Sequence, residues 1–97
     1  MTIELSRFDV AEHLTDPEDQ AELLADAFAT GDPRYVAHAL GIVARAHGMT
    51  KLEQETGMKR QALYRALSMD GNPRLDTLMK VMKALHLSLR AEPREAA

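Results

Sequence analysis

Ninety-seven residues, 45% of them apolar and 28% charged, are enough for one modest hydrophobic core and too few for two, so any larger activity must come through a partner. The absence of cysteine excludes a disulfide framework, a thiolate metal site and a thiol nucleophile. A net charge of −3 argues on its own against nucleic-acid binding, but the charge is unevenly placed. Residues 1–43 hold two Arg against nine acidic residues, whereas residues 44–90 hold nine Lys or Arg against four. A basic module that can meet phosphate therefore stands behind an acidic one that can face away from it or meet a basic protein. The first thirty residues contain no apolar run of the kind found in a signal peptide or membrane span, so a cytoplasmic location is expected.

In chain order, Thr15-Asp16-Pro17-Glu18 is a helix start, with a capping residue, proline in the first turn and acids near the positive end of the helix dipole. The helix should run from about Pro17 to Thr30, stop at Gly31 and bury Ala21, Leu23, Leu24, Ala27 and Phe28. Asp32-Pro33 starts a second helix reaching about His47, with Val36, Ala39, Leu40, Val43 and Ala44 on its inner side. Thr50 is placed to cap a third helix from Lys51 to just before Gly57, and Glu53 three residues on completes a capping box. Gly57 provides a left-handed corner. A fourth helix follows, in which Ala62, Leu63, Ala66 and Leu67 face inward. After the turn-rich Ser68-Met69-Asp70-Gly71-Asn72-Pro73, a last helix from about Leu75 to His86 presents Leu75, Leu78, Met79, Val81, Met82 and Leu85 on one side. Leu87-Ser88-Leu89-Arg90-Ala91 alternates with period two and predicts a short strand. Such a strand would have to pair with Ile3-Glu4-Leu5-Ser6, with a second copy, or with a partner's sheet edge.

Two short helices joined at a glycine corner have the layout of a helix-turn-helix DNA reader. Arg60, Gln61, Tyr64, Arg65 and Ser68 fall within an arc of roughly 140° on the fourth helix, opposite its packing side. Arg pairs bidentately with guanine and Gln with adenine, and a Tyr hydroxyl reaches phosphate. Thr50, Lys51, Lys59 and Arg74 complete the expected DNA-contacting set, and Lys80 is a further phosphate candidate. The bland alternative for each is a solvated helix face.

The run Gly57-Met58-Lys59-Arg60-Gln61-Ala62-Leu63-Tyr64-Arg65-Ala66-Leu67, followed by Asp70-Gly71-Asn72-Pro73 and Leu78-Met79-Lys80-Val81-Met82-Lys83-Ala84-Leu85, resembles the addiction-module antidote proteins. These belong to the Cro and phage-repressor-like helix-turn-helix class, and the resemblance extends upstream through Phe8-Asp9 and Asp32-Pro33. It implies an all-α, five-helix, lambda-repressor-like DNA-binding domain, here with a short C-terminal β-strand. It also implies an antitoxin of a type II module that neutralises a RelE-like or HigB-like messenger RNA interferase and represses the operon they share. Two positions depart from the pattern. The residue four before the corner glycine is usually small but here is Glu53, and the recognition helix usually opens on Ser or Thr but here opens on Lys59. Lys59 forgoes a side-chain cap worth about 1 kcal/mol and adds a cation where phosphate would lie.

Within one compact domain, residues 1–32 form an acidic segment with a bracing helix, residues 33–91 the DNA-binding core with its strand, and residues 92–97 a tail. The expected partners are double-stranded operator DNA, a cognate toxin and a second copy of the chain, with Leu85, Leu87 and Leu89 at the dimer contact. Two recognition helices spaced by roughly 34 Å can read a palindrome that one cannot. No cofactor, small-molecule ligand, membrane contact or catalytic residue is expected. The four His lack metal-ligand spacing, and the serines lack a His and carboxylate at catalytic spacing. A stand-alone phage-type repressor and a helical adaptor that never touches DNA are the rival readings.

Overall fold

The computed structural model describes residues 14–95. Among them are five helices: α1 (Pro17–Thr30), α2 (Pro33–His47), α3 (Met49–Thr56), α4 (Arg60–Ala66) and α5 (Leu75–Ala84). The first two start as their sequences require. Asp16 Oδ1 accepts from the Glu18 N–H at 2.9 Å and Asp32 Oδ1 from the Arg34 N–H at 2.9 Å, each followed by proline at the first helical position. Each cap satisfies a donor that the helix start leaves over.

The core draws on every helix. Leu24 from α1, Leu40 and Val43 from α2, Leu52 from α3, Leu63 from α4 and Val81 from α5 are its largest fully buried side chains, each contributing roughly 1.5–3 kcal/mol by leaving water. Packing runs α1 on α2, α2 on α3, α3 on α4, and α5 back onto α3. The short third helix is therefore the hub through which the last two are held.

Several expectations need correction. Ala21 and Ala62 are exposed, as are Leu75 and Met79. On α5 the inward arc is centred on Val81, Met82 and Leu85; Met79 lies about 110° round from its middle, and Leu75, about 70° round, is the first residue of the helix. Apolar periodicity marks the side of a helix that can be buried, and the neighbours decide how much of it is. Gln20, conversely, is buried within the acid-rich first helix, where its Nε2 donates to the Leu14 carbonyl at 2.6 Å.

The expected strand is absent among the described residues, and the end of α5 explains what the alternating segment does instead. Leu85 is the C-cap, His86 takes a left-handed φ of 61°, the His86 N–H donates to the Lys83 carbonyl at 3.0 Å and the Leu87 N–H to the Met82 carbonyl at 2.9 Å. This is a Schellman termination, in which the residue after the left-handed one turns its apolar side chain back onto the helix. Leu87 accordingly packs against the core. The chain then continues beside α1, where Leu87 and Leu89 line an open groove of about 940 Å³ together with Ala21, Leu24, Ala25 and Phe28. The proposed pairing partner Ile3-Glu4-Leu5-Ser6 lies outside the described residues.

Candidate nucleic-acid interface

The α3–α4 corner is built from its backbone outward. Gly57 sits at φ 75°, ψ 6°, and its N–H donates to the Glu53 carbonyl at 3.0 Å. A side chain at this φ would be strained, because only glycine enters the left-handed region freely. Thr56 reinforces the corner: its hydroxyl donates to the Leu52 carbonyl at 2.7 Å and accepts from the Met58 N–H at 3.2 Å. Beneath the corner Leu52 and Leu63 are fully buried, so the angle between the two helices is fixed by apolar packing as well as by hydrogen bonds.

The capping box expected at Thr50 and Glu53 does not form. Gly48, not Thr50, is the N-cap of α3, the helix begins at Met49, and no side chain caps it. Both residues instead serve the next helix. Glu53 Oε2 accepts from the Arg60 backbone N–H at 3.2 Å, Glu53 Oε1 lies 3.7 Å from Arg60 Nε, and Arg60 Nη2 donates to the Thr50 hydroxyl. The cap that Lys59 cannot provide to α4, whose N-cap it is without a side-chain bond, is thus supplied from seven residues upstream. The Glu53 carboxylate also meets the positive end of α4 and a guanidinium. A large acidic residue before the corner acquires its purpose from a lysine after it. Glu53→Ala should cost about 1 kcal/mol, read as a fall of roughly 4–8 °C in the thermal midpoint. An unchanged midpoint would show that α4 does not need this cap.

Arg60 is therefore drawn back along α3, with its side chain 45% exposed. Gln61, Tyr64 and Arg65 project outward, and their side chains make no hydrogen bond or ion pair with another described residue. Tyr64 is 49% exposed. Ser68 is exposed at the end of α4, its hydroxyl donating to the Arg65 carbonyl at 3.2 Å. Lys51 and Lys59 are exposed, whereas Arg74 lies 3.5 Å from Asp76 in a solvated pair at the start of α5. Of the three residues expected at the dimer contact, Leu85 is buried in the core of its own chain, Leu87 is half-buried and Leu89 is 38% exposed.

A second clasp has no signature in the sequence. His47 Nε2, at the end of α2, sits 2.7 Å from Glu55 Oε1 on α3, an eight-residue separation that no helix periodicity flags. The hydrogen bond from His47 holds the Glu55 carboxyl below its ordinary value of 4.5; burial opposes this, and the charges of His47, Lys51 and His86 add to it. A carboxylate lowered on folding stabilises fully above its unfolded pKa, and that contribution disappears as pH falls through the folded value. Glu55→Gln should thus lower the thermal midpoint slightly at neutral pH, and the gap from the parent should close as the medium is acidified below 4.5. A gap that persists in acid would assign the loss to packing.

A family model described as "Probable addiction module antidote protein" matches residues 4–93. The chain belongs to this family. A protein of Haemophilus influenzae strain Rd, described as uncharacterized, is 42% identical over 92 residues, covering 95% of each chain. No solved structure matches the chain. Membership of an antidote family points to an antitoxin and so to a toxin partner. Among the described residues no helix is long and apolar enough to cross a membrane, and no cluster of His, Asp and Glu is grouped as a metal site would need.

Proposed function

We propose that this antidote-family chain is a DNA-binding antitoxin of a type II module. In this reading α3 and α4 are a helix-turn-helix of the Cro and phage-repressor-like class, α4 enters the major groove of operator DNA, and a dimer represses the operon. The observation that carries the DNA part is the outward face of α4. Gln61, Tyr64 and Arg65 stand exposed on a helix whose opposite side is anchored by buried Leu63 and Leu67, in the basic half of the chain. Base-reading side chains must be held on a rigid element yet be free at their tips, and this helix meets both conditions. Arg60, Thr50, Lys51, Lys59 and Arg74 act on phosphate, giving affinity without sequence preference. Glu18, Asp19, Glu22 and Asp26, all exposed on α1, form the acidic surface that complements a basic RNA-cutting toxin of RelE-like or HigB-like type. The chain itself performs no catalysis and acts in the cytoplasm.

The test is binding of the purified protein to DNA upstream of its gene across a salt series, with and without the product of an adjacent small basic reading frame. Sequence-selective binding that weakens linearly on a log–log salt plot is expected. Absence of selectivity under both conditions would overturn the repressor reading.

A further inference from the structure

The proposed dimer needs a contact surface, and the described residues offer a self-complementary one on α5. Leu75 and Met79 are 71% and 52% exposed, the only large aliphatic pair one helical turn apart left uncovered among the described residues. They form an i, i+4 row on α5 that Lys83 continues for one more turn, with Asp76 beside it. The row carries an acid near its start and a base near its end. Reversed on itself about the midpoint between Met79 and Lys80, it sets Asp76 of one chain against Lys83 of the other twice over, because the two lie equally far from that midpoint. The two Met79 side chains then meet between the ion pairs, and each Leu75 lies just outside them, against the stem of the facing Lys83.

We infer that α5 is the homodimer interface, pairing antiparallel with α5 of a second copy through Leu75 and Met79, with Asp76–Lys83 pairs setting the register. A second copy fits better than a basic toxin, for which the acidic charge lies on α1 and not here. The exposed Arg74–Asp76 pair, at 3.5 Å, is solvated and can be exchanged for an interchain one at little cost. Because α5 packs on α3 and α3 is clasped to α4, a two-fold axis at α5 fixes the separation of the two α4 helices. The interface rests on the proposed dimeric function and deepens it, but it is measured without DNA.

The experiment is sedimentation equilibrium of the full chain. Wild type should sediment as a dimer and Leu75→Ser/Met79→Ser as a monomer with unchanged helical signal, since neither side chain belongs to the core. Asp76→Lys and Lys83→Glu should each weaken self-association by about tenfold or more, two like-charge contacts replacing two ion pairs. Mixed in equal amounts, the two variants should regain near-wild-type association as heterodimers, which no structural role of either residue would produce. A monomeric wild type, a Ser/Ser variant that still dimerises, or a mixture that fails to regain association would each overturn the inference. A dimer with the expected variant pattern but no operator binding would leave this interface standing and remove the DNA reading.

Discussion

Gly41→Ala should unfold this domain at a markedly lower temperature, although alanine is the better helix former by roughly 1 kcal/mol. Gly41 is buried in the middle of α2, and a β-carbon there would overlap the backbone carbonyl oxygen of Leu67, just past the end of α4. A backbone atom cannot rotate aside as a side-chain tip can. Relief therefore requires α2 to move away from the end of α4, which loosens the core cluster to which Leu40, Val43, Leu63 and Leu67 belong. Overpacking of this kind costs about 1–3 kcal/mol or more, and in a domain of this size a loss near 3 kcal/mol corresponds to a midpoint lower by roughly 12–24 °C. Thermal denaturation followed by circular dichroism reads the effect. A variant that melts within a few degrees of wild type would mean that the α2–α4 approach is looser than the structure has it.

Arg65→Ala and Arg60→Ala should separate in kind as well as in degree. Arg65 is exposed with no side-chain partner among the described residues, so on the proposed reading it is available to a base edge. Removing it should cost about 1–3 kcal/mol, roughly five- to 150-fold in operator affinity, and relax the preference at one base-pair position. Arg60 is held by Glu53 and Thr50 on α3. Its removal should weaken binding to all sequences alike, flatten the salt dependence by about one ion and lower stability slightly by freeing Glu53. Binding to a set of single-position operator variants at two salt concentrations distinguishes these outcomes. If Arg60→Ala changes sequence preference while Arg65→Ala does not, the roles assigned along α4 are reversed.

Local signals are reliable where one short stretch contains all the physics. Asp16-Pro17 and Asp32-Pro33 start their helices because cap, proline and dipole act within four residues, and Gly31, Gly48 and Gly57 end theirs at the expected places. The five helices, the glycine corner and the outward direction of Gln61, Tyr64 and Arg65 are therefore legible in the order of residues alone. Thr50 and Glu53 show where such legibility stops. Their spacing satisfies a capping box, yet Gly48 starts α3 two residues early and an N–H seven residues downstream competes for the same carboxylate. Nothing in the spacing ranks one donor above the other.

The alternation Leu87-Ser88-Leu89-Arg90 likewise describes an extended segment without saying whether a neighbouring strand exists to pair with it. In the fold, α1 and the Schellman termination of α5 supply the cover instead. Sequence alone determined the helices, the division of charge and the face that carries the proposed base-reading residues, because each depends on neighbours within a turn or two of helix. Only the tertiary structure decided that Arg60 is a clasp on α3, that His47 binds Glu55, that Leu85 is spent inside its own chain, and that Leu75 and Met79 are left facing solvent. Those outcomes depend on which surfaces a small core has enough neighbours to cover, and that is settled by packing across the chain.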